Sequence, residues 1–231
     1  QGSPGTLGVD RFLQSFPSLR SLDLHDLNMP RLPQSLSAMP QLQHLTLRNC
    51  GISLSGADAP GFPAMSNLAV LDLQGNPLGI APDIQDLPSL HFLNLDNTNI
   101  SAAPSGLVSH PSLFAGKFDG NQITEIPLEL LSSSDPVSGE FSFAGNPLSA
   151  VSREAVKTVY NRTRQNFGVM IEQADLQRTT ELFPALTEDQ ANHLLYELPG
   201  SLAEGRTRLS EWQAEVTVLR GELAQWKNRI P

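Results

Sequence analysis

Cysteine, basic residues and long apolar runs are all scarce in this chain, and each shortage excludes a class of function. Cys50 is the single cysteine among 231 residues, so neither an intramolecular disulfide nor a cysteine-based metal site can form. Because no run of about 18 apolar residues occurs, we expect no membrane span. The chain begins at Gln1 with neither a methionine nor a secretory signal, and we therefore expect an excised piece of a longer protein.

Lysine and arginine are rarest in the first two thirds of the chain. Residues 1–150 hold 5 Lys/Arg against 13 Asp/Glu, whereas residues 151–231 hold 10 against 11, within a total net charge of −9. Nucleic-acid binders need basic surfaces, so we expect no nucleic-acid partner. An acidic half instead favours the electrostatic steering of a basic or neutral protein partner. The lack of disulfide-bonded caps indicates a reducing compartment or a bacterial origin.

The residue sets that carry catalysis, metals or phosphates are also missing. Neither GxxxxGK[ST] nor GxGxxG occurs. We expect His25 and His44 on neighbouring strands, where they can approach each other, but no ligand set accompanies them. We expect a carboxylate-rich face without acid–base pairing, made of Asp23, Asp26, Asp72, Asp96 and Asp119. We therefore predict no cofactor, no metal and no catalytic residue, and we interpret Cys50 as a turn residue.

What the chain does contain is a repeated leucine phrase. The best copy reads Leu-x-x-Leu-x-Leu-x-x-Asn-x-Leu from Leu68 to Leu78. Six copies, 22 to 26 residues apart, begin at Leu19, Leu42, Leu68, Leu90, Leu113 and Ser138. This period is typical of a leucine-rich-repeat solenoid. We expect an α/β leucine-rich-repeat solenoid over residues 19–148, after an N-terminal flank of a truncated repeat array over 1–18, and then an all-α helical domain over 149–231.

Each copy of the phrase predicts one short strand, parallel to its neighbours, with the leucines pointing inward. The Asn position closes the turn after the strand, where its amide can bond backbone groups of the adjacent coil. Cys50 and Thr98 take that position in two copies. Proline disfavours regular helix, so the proline-rich convex side should be extended or form single-turn 3₁₀ segments. The prolines are Pro33, Pro40, Pro82, Pro88, Pro104, Pro111, Pro127 and Pro136.

The residues between the leucines should face outward from the concave side of the sheet in three columns, which we call the outer sheet face. The first column reads Ser21, His44, Val70, Phe92, Ala115, Glu140. The second reads Asp23, Thr46, Asp72, Asn94, Lys117, Ser142. The third reads His25, Arg48, Gln74, Asp96, Asp119, Ala144. Six strands about 4.8 Å apart span roughly 25 Å, which suffices to contact a helix or a small domain.

The outer sheet face is the candidate binding site for a protein partner. We predict that the binding residues are Val70, Phe92, Asp72, Asn94, Asp96, Asp23, His25, Arg48, Lys117 and Asp119. Phe92 beside Val70 is expected to be the one exposed apolar spot, ringed by polar groups as in a binding hot spot. The alternative is that Phe92 is an ordinary exposed apolar residue.

After Leu148 the pattern becomes helical. We expect a first helix capped by Ser152, with Ala155, Val156, Val159 and Tyr160 as its apolar stripe, and a second over residues 168–182. A third should begin at the cap Thr187, with Gln190 three residues on, and end at Pro199-Gly200. A fourth should begin at Ser201, with Glu204 three residues on.

The fourth helix carries a heptad seam. Its first set of positions is Leu202, Leu209, Val216, Leu223 and Ile230, and its companion set is Gly205, Trp212, Leu219 and Trp226. One interpretation is packing within the helical domain or against a further domain, so that the chain is a monomer. The other is a coiled-coil dimer through residues 202–230. We favour the first, because Gly205 and two tryptophans at core positions are unusual for a tight dimer.

Two groups of motifs resemble parts of known bacterial proteins. The proline-rich repeats, with Leu32-Pro33, Ile126-Pro127, Gly75–Leu78 and Gly145–Leu148, resemble those of bacterial effector leucine-rich repeats. The tail is more specific, with Leu182-Phe183-Pro184-x-Leu186-Thr187-x-x-x-Ala191-x-x-Leu194, then Glu197-Leu198-Pro199-Gly200-Ser201-Leu202-x-x-Gly205-x-x-x-Leu209, then Trp226. It resembles a helical module of bacterial proteins that combine leucine-rich repeats with a novel E3 ligase domain of the IpaH type.

The resemblance implies that this chain is the recognition segment of a larger bacterial ubiquitin ligase, secreted and acting in the host cytoplasm. In that family a Cys-x-Asp nucleophile in a separate domain accepts ubiquitin, while the repeats select the target. Cys50 is followed by Gly51 and Ile52, so no catalytic residue carries over and this fragment is not expected to be an enzyme. The competing interpretation is an interaction scaffold of a bacterial surface protein or toxin, with no link to ubiquitin.

Overall fold

A computed structural model describes residues 5–56, 61–132 and 140–230. The chain divides into two compact units, Gln1–Ser152 with Phe167–Val169, and Arg153–Asn166 with Met170–Pro231. Two residues of the expected repeat pattern, Pro136 and Ser138, lie outside the described residues. The two units are described in turn.

The first unit contains a six-stranded parallel sheet whose strands follow chain order. The strands are β1 Ser21–His25, β2 His44–Arg48, β3 Val70–Asp72, β4 Phe92–Asn94, β5 Ala115–Lys117 and β6 Glu140–Ser142. Equivalent positions of successive repeat copies pair, as in Leu22 with Leu45 and Leu71 with Leu93. The expectation of short parallel strands in a solenoid-like stack is therefore confirmed.

The repeated apolar positions form the core of this unit. Leu45, Leu71 and Leu93 are fully buried in one layer, and Leu47, Leu73 and Leu95 are fully buried in the next. Side chains along a strand alternate between its two faces, so leucines two residues apart, such as Leu45 and Leu47, both point into the core. The leucine spacing therefore positions the intervening residues on the outer sheet face.

The fifth copy of the phrase fills its core in a different way. Gly116 stands where the first four copies carry leucine, and a Cβ atom built there would lie only 2.9 Å from Cε2 and Cζ of Phe118. The Phe118 ring is fully buried, and its centroid lies 5.1 Å from that of Phe143. An aromatic ring thus occupies the volume that the missing leucine leaves, and glycine is required for it to fit.

A ladder of buried asparagines fastens successive turns, as the sequence predicts. The Oδ1 atom of Asn121 accepts from the amides of Thr98 (2.9 Å) and Ile100 (3.3 Å). Its Nδ2 donates to the carbonyls of Leu95 (2.9 Å) and Phe118 (3.0 Å). Asn76 and Asn146 make the same kinds of bond. Each asparagine therefore satisfies backbone groups on two adjacent turns.

Cys50 and Thr98 close their turns with fewer bonds. The Thr98 hydroxyl donates to the carbonyl of Leu95 at 2.7 Å, and the Cys50 thiol donates to that of Arg48 at 3.2 Å. Cys50 is fully buried, and this burial raises the pKa of its thiol. A buried, protonated thiol is a poor nucleophile.

The side of the first unit opposite the outer sheet face carries short helical turns. Two 3₁₀ helices, Gln34–Ala38 and Ile84–Asp86, follow extended residues, and the four-residue helix α2, Leu128–Leu131, follows Pro127. The 3₁₀ segments that the prolines predict are therefore present.

The N-terminal flank is more ordered than the repeat pattern suggests. Helix α1, Thr6–Leu13, buries Val9 and Leu13. The Asp10 carboxylate accepts from the amide (2.9 Å) and the hydroxyl (2.8 Å) of Ser35. The flank thus packs against the first 3₁₀ helix, although no repeated residue signals it.

Two expected helix starts are wrong. Helix α3, Ala150–Thr163, begins two residues before the expected cap, because the hydroxyl of Ser149 accepts from the Ser152 amide at 3.0 Å. Ser152 instead accepts from the Ile126 amide at 2.9 Å. Helix α4 spans Gln173–Leu182 and does not start near residue 168, since Phe167 and Gly168 adopt the left-handed φ angles 52° and 68°.

The two capped helices of the second unit begin where the sequence predicts. Helix α5, Glu188–Glu197, has a complete capping box between Thr187 and Gln190. Helix α6, Leu202–Lys227, is capped by the Ser201 hydroxyl, which accepts from the Glu204 amide. The Glu154 carboxylate accepts from the amides of Leu202 (3.0 Å) and Ala203 (2.9 Å). A carboxylate at this position also interacts favourably with the helix dipole.

Polar contacts connect the helices of the second unit. The buried Lys157 ammonium donates to the Leu198 carbonyl at 2.6 Å, and burial lowers its pKa. The Tyr160 hydroxyl donates to Glu197, which also pairs with Arg164 at 3.3 Å. Of the apolar stripe expected for α3, Val156, Val159 and Tyr160 are buried, whereas Ala155 is half-buried.

The Tyr160–Glu197 contact makes a prediction about pH. The hydrogen bond from Tyr160 lowers the pKa of Glu197 below its ordinary value. A carboxylate with a depressed folded-state pKa adds stability above its unfolded pKa, about 4.3, and loses it as pH falls through the folded value. Tyr160→Phe should therefore lower Tm at neutral pH, and the difference should shrink below about pH 4, measured by calorimetry.

Glu197→Gln serves as the companion variant, because it removes the titrating group itself. Its Tm difference from wild type should converge in acid in the same way. A Tm difference for Tyr160→Phe that stays constant from neutral to acid pH would contradict the assignment.

Candidate protein-binding face

The outer sheet face has the register that the repeat spacing predicts. Its first column is continuous, because Ser21, His44, Val70, Phe92, Ala115 and Glu140 are paired in series. Its second column runs in the same way from Asp23 to Ser142. The third column continues beyond most strands through backbone bonds, such as Gly75 N to Asp96 O at 3.0 Å. Eight of the ten predicted partner-binding residues therefore share one face of the sheet, and the other two, Asp96 and Asp119, follow strands β4 and β5.

Phe92 and Val70 are adjacent, as expected, but Phe92 is not the one exposed apolar spot. Both side chains are half-buried. The large apolar side chains that are exposed among the described residues of the first unit lie elsewhere, at Leu7, Phe12, Phe16, Ile80, Val108, Phe114, Leu128 and Val151. Because Phe92 is half-buried, part of its ring is accessible to a partner.

Asp72 is buried under a cation. Its side chain is 5% exposed, and the Arg48 guanidinium, 40% exposed, contacts its Oδ2 through Nη2 and through Nε at 3.0 Å. Its Oδ1 accepts from the backbone amide of Gln74 at 3.1 Å, and its Oδ2 accepts from the side-chain amide of Asn94 at 3.3 Å. The bond to Asp72 is the main cause of a raised pKa of Arg48. The Asp72 carboxylate is therefore fully engaged inside the protein.

Asp96, which follows the next strand β4, is also covered by a cation. Its side chain is 8% exposed beneath the Lys117 ammonium, which is 47% exposed and lies 3.0 Å from Oδ2. Its Oδ1 accepts from the Asp119 amide at 2.8 Å. The bond to Asp96 is the main cause of a raised pKa of Lys117. Lys117 is thus held charged at neutral pH.

These contacts follow one diagonal rule. In each pair a third-column residue bonds the second-column residue of the next strand. The four pairs are Arg48–Asp72, Gln74–Asn94, Asp96–Lys117 and Asp119–Ser142. The diagonal pairs therefore link copies two to six in series through outward side chains, in addition to the bonds of the buried asparagines.

The diagonal pairs change the charge that the outer sheet face presents. The expectation of a carboxylate-rich face is wrong for Asp72 and Asp96, because their carboxylates are covered. The accessible charges near the centre are the cations Arg48 and Lys117. Exposed acidic groups lie on the first and last strands, at Asp23 and Glu140.

The histidines form no common site. His25 pairs with Arg48 in the strand register and its ring contacts Asp23, whereas His44 pairs with Ser21 at the other end of the strand. The expected approach of His25 to His44 is therefore wrong. His110 is structural, because its Nδ1 accepts from the amides of Ser112 and Leu113. Its Nε2, which then carries the proton, lies 3.1 Å from the Ile84 carbonyl.

Within the described ranges, no three His, Cys, Asp or Glu residues are grouped so that they would hold a metal ion. In the same part of the chain, no helix has both the length and the apolar character to cross a bilayer. No protein-family model matches the sequence, and no curated protein matches it either.

Proposed function

We propose that residues 19–148 are a leucine-rich-repeat solenoid that binds a protein partner on the outer sheet face. In this proposal the chain is the recognition segment of a larger bacterial effector, a ubiquitin ligase of the novel E3 ligase type that is secreted and acts in the host cytoplasm. The chain itself contributes no catalytic residue. The observation that carries the binding proposal is the row of four diagonal pairs across the sheet.

Preorganisation is what makes this row suitable for binding. The Arg48 and Lys117 side chains are already held by buried carboxylates, so less side-chain entropy is lost when a partner contacts them. Phe92 and Val70 provide half-buried apolar surface on the neighbouring column. An apolar contact surrounded by fixed polar groups is the arrangement in which a few residues supply most of the binding energy.

The same row suggests which partner chemistry fits. Exposed cations at Arg48 and Lys117 favour a partner that brings acidic groups to the centre of the face. The net charge of −9 still favours approach by a basic or neutral protein. The proposed partner therefore combines an apolar side chain for Phe92 with acidic groups near it, within a surface that is not strongly acidic overall.

Phe92→Ala tests the binding proposal. We expect at least a tenfold loss of affinity, about 1.4 kcal/mol, for a partner captured from host cytosol, because the central apolar contact is removed. Affinity would be measured by surface plasmon resonance on the purified pair. Phe114→Ala is the matched control, because Phe114 is 56% exposed, lies outside the three columns and should leave affinity unchanged. Equal affinities for Phe92→Ala and wild type would contradict the proposed face.

The link to ubiquitin is tested separately. A full-length protein that carries this chain is expected to transfer ubiquitin when activating enzyme, conjugating enzyme and ATP are supplied, whereas the chain alone is not. The transfer should disappear when the cysteine of the ligase domain is replaced by alanine. If no thiol-dependent transfer occurs with any of a panel of conjugating enzymes, the interaction scaffold without a ubiquitin link becomes the better proposal.

A further inference from the structure

The second half of helix α6 exposes an unusual amount of apolar surface. Leu202, Gly205 and Leu209 are buried, and the Trp212 ring packs edge-on against Phe183 with centroids 5.7 Å apart. Beyond Val216 the seam is uncovered, and four of its side chains are more than half exposed, at Leu219, Leu223, Trp226 and Ile230. Packing inside the second unit therefore accounts for only the first half of the heptad pattern.

The uncovered positions have the composition of a two-stranded seam. In heptad notation, Val216 and Leu223 occupy a positions, and Leu219 and Trp226 occupy d positions, while Ile230 follows the end of the helix. A β-branched residue at a and leucine at d favour two parallel helices, and Val216 with Leu219 matches that pattern. Gly205, which weakens the seam, lies in the half that is already packed. Trp212 is also packed within the unit, against Phe183. The objections that Gly205 and Trp212 raise therefore do not apply to residues 216–227, which hold one tryptophan, Trp226, at a core position.

The charges beside the seam indicate which helix fits against it. The g positions carry Glu215, Glu222 and Arg229, and the e positions five residues after the two glutamates carry Arg220 and Lys227. In a parallel pair of identical helices, each g residue faces the e residue of the next heptad on the other helix. Glu215 then faces Arg220 of the second copy, and Glu222 faces Lys227 of the second copy.

An antiparallel pair of the same helices would bring more like charges than opposite charges together. There e faces e and g faces g, so in a pair centred on this segment Arg220 would meet Lys227 and Glu222 would meet its own copy. Only Glu215 would meet an opposite charge, on Arg229. Like charges at these positions disfavour a pairing. The sequence is thus complementary to a second, parallel copy of itself.

We propose that two copies of this chain associate through a parallel coiled coil over residues 216–227 of α6. Burial of the four apolar side chains Val216, Leu219, Leu223 and Trp226 supplies the attraction, and the four interhelical charge pairs select the parallel orientation. This inference does not rest on the proposed function of the outer sheet face. With only about two heptads available, the association depends on protein concentration.

The proposal is tested first on the unmodified chain by sedimentation equilibrium from about 1 to about 500 µM. We expect the mass to rise with concentration towards twice 25.1 kDa. Glu215→Lys with Glu222→Lys should abolish the rise, because all flanking charges become basic. Arg220→Glu with Lys227→Glu should abolish it for the opposite reason. A monomer mass for the unmodified chain at every concentration overturns the proposal.

An equimolar mixture of the two charge variants separates the proposed pairing from a loss of folding. Each variant alone is monomeric, but the mixture should restore the doubled mass, because a basic flank meets an acidic one. Glu211→Lys, a charge reversal at an exposed position away from the seam, is the matched control and should leave association unchanged. A mixture that stays monomeric, while each variant keeps the helix content of wild type, also overturns the proposal.

Orientation is tested with Val216→Cys. In a parallel, in-register pair the two Val216 positions lie side by side, whereas in an antiparallel pair centred on this segment they are separated by most of its length. Mild oxidation should therefore produce a disulfide-linked dimer, and the only other cysteine, Cys50, is fully buried. Dimers that resist this cross-link would overturn the parallel arrangement.

Discussion

Phe118→Ala will lower the free energy of unfolding by about 4 kcal/mol. The Phe118 ring is fully buried against Phe143 and covers the space beside Gly116, where the first four repeat copies place a leucine. Because Gly116 has no side chain that can move into the cavity, the site cannot collapse. Lost burial and an unfilled cavity therefore add together.

The measurement is chemical denaturation, combined with hydrogen exchange in strands β5 and β6. Hydrogen exchange shows that stability is lost in this part of the sheet, even if the two compact units unfold separately. Phe114→Ala is the matched control, since Phe114 is 56% exposed and its truncation should change stability by no more than about 0.5 kcal/mol. Equal losses for the two variants would show that Phe118 does not fill the gap left by Gly116.

Asn121→Ala will cost about 3 kcal/mol. The variant removes six hydrogen bonds at once, and it leaves the buried amides of Thr98 and Ile100 without their shared acceptor. A buried donor without a partner loses its solvation without compensation. The effect should therefore exceed that of an ordinary hydrogen bond.

Hydrogen exchange gives this second prediction a local readout. The amides of Thr98 and Ile100 should exchange markedly faster in Asn121→Ala, while the amides of Cys50 and Ile52, which bond Asn76, should change less. Gln122→Ala is the neighbouring control, because Gln122 is exposed and should be within about 0.5 kcal/mol of wild type. Unchanged exchange at Thr98 would contradict the assigned role of the asparagine.

The parts of the fold that the sequence predicts well are those that a repeat imposes many times. A period of two within each leucine phrase sets the inward and outward faces, and the spacing between phrases sets the strand register, as the pairing of Val70 with Phe92 illustrates. Capping boxes are equally local, so Thr187 with Gln190 predicts the start of α5. In both cases a short-range rule determines the geometry.

The parts that the sequence does not predict depend on single, long-range contacts. Helix α1 is fixed by the bonds between Asp10 and Ser35. The start of α4 is delayed by left-handed backbone at Phe167 and Gly168. Neither feature recurs, so periodicity cannot reveal it.

The candidate site is predicted from the sequence only in part. Eight of its ten residues are placed on one face by the repeat spacing, but the burial of Asp72 and Asp96 depends on which neighbour each side chain meets. A signal does exist in the sequence. Once the columns are aligned, Arg48 precedes Asp72 and Asp96 precedes Lys117 on the same diagonal, so opposite charges in adjacent columns indicate covered carboxylates.

The diagonal pairs bear on how such a surface can change during evolution or in the laboratory. From the second repeat to the sixth, each repeat shares an outward side-chain contact with the next. Moving the third repeat alone into another array would therefore part Asp72 from Arg48 and Gln74 from Asn94. Each junction would then hold a polar group whose partner had been left behind. Shuffling of specificity should therefore proceed by exchanging neighbouring repeats together, or by compensating double substitutions, and not by single-repeat grafts.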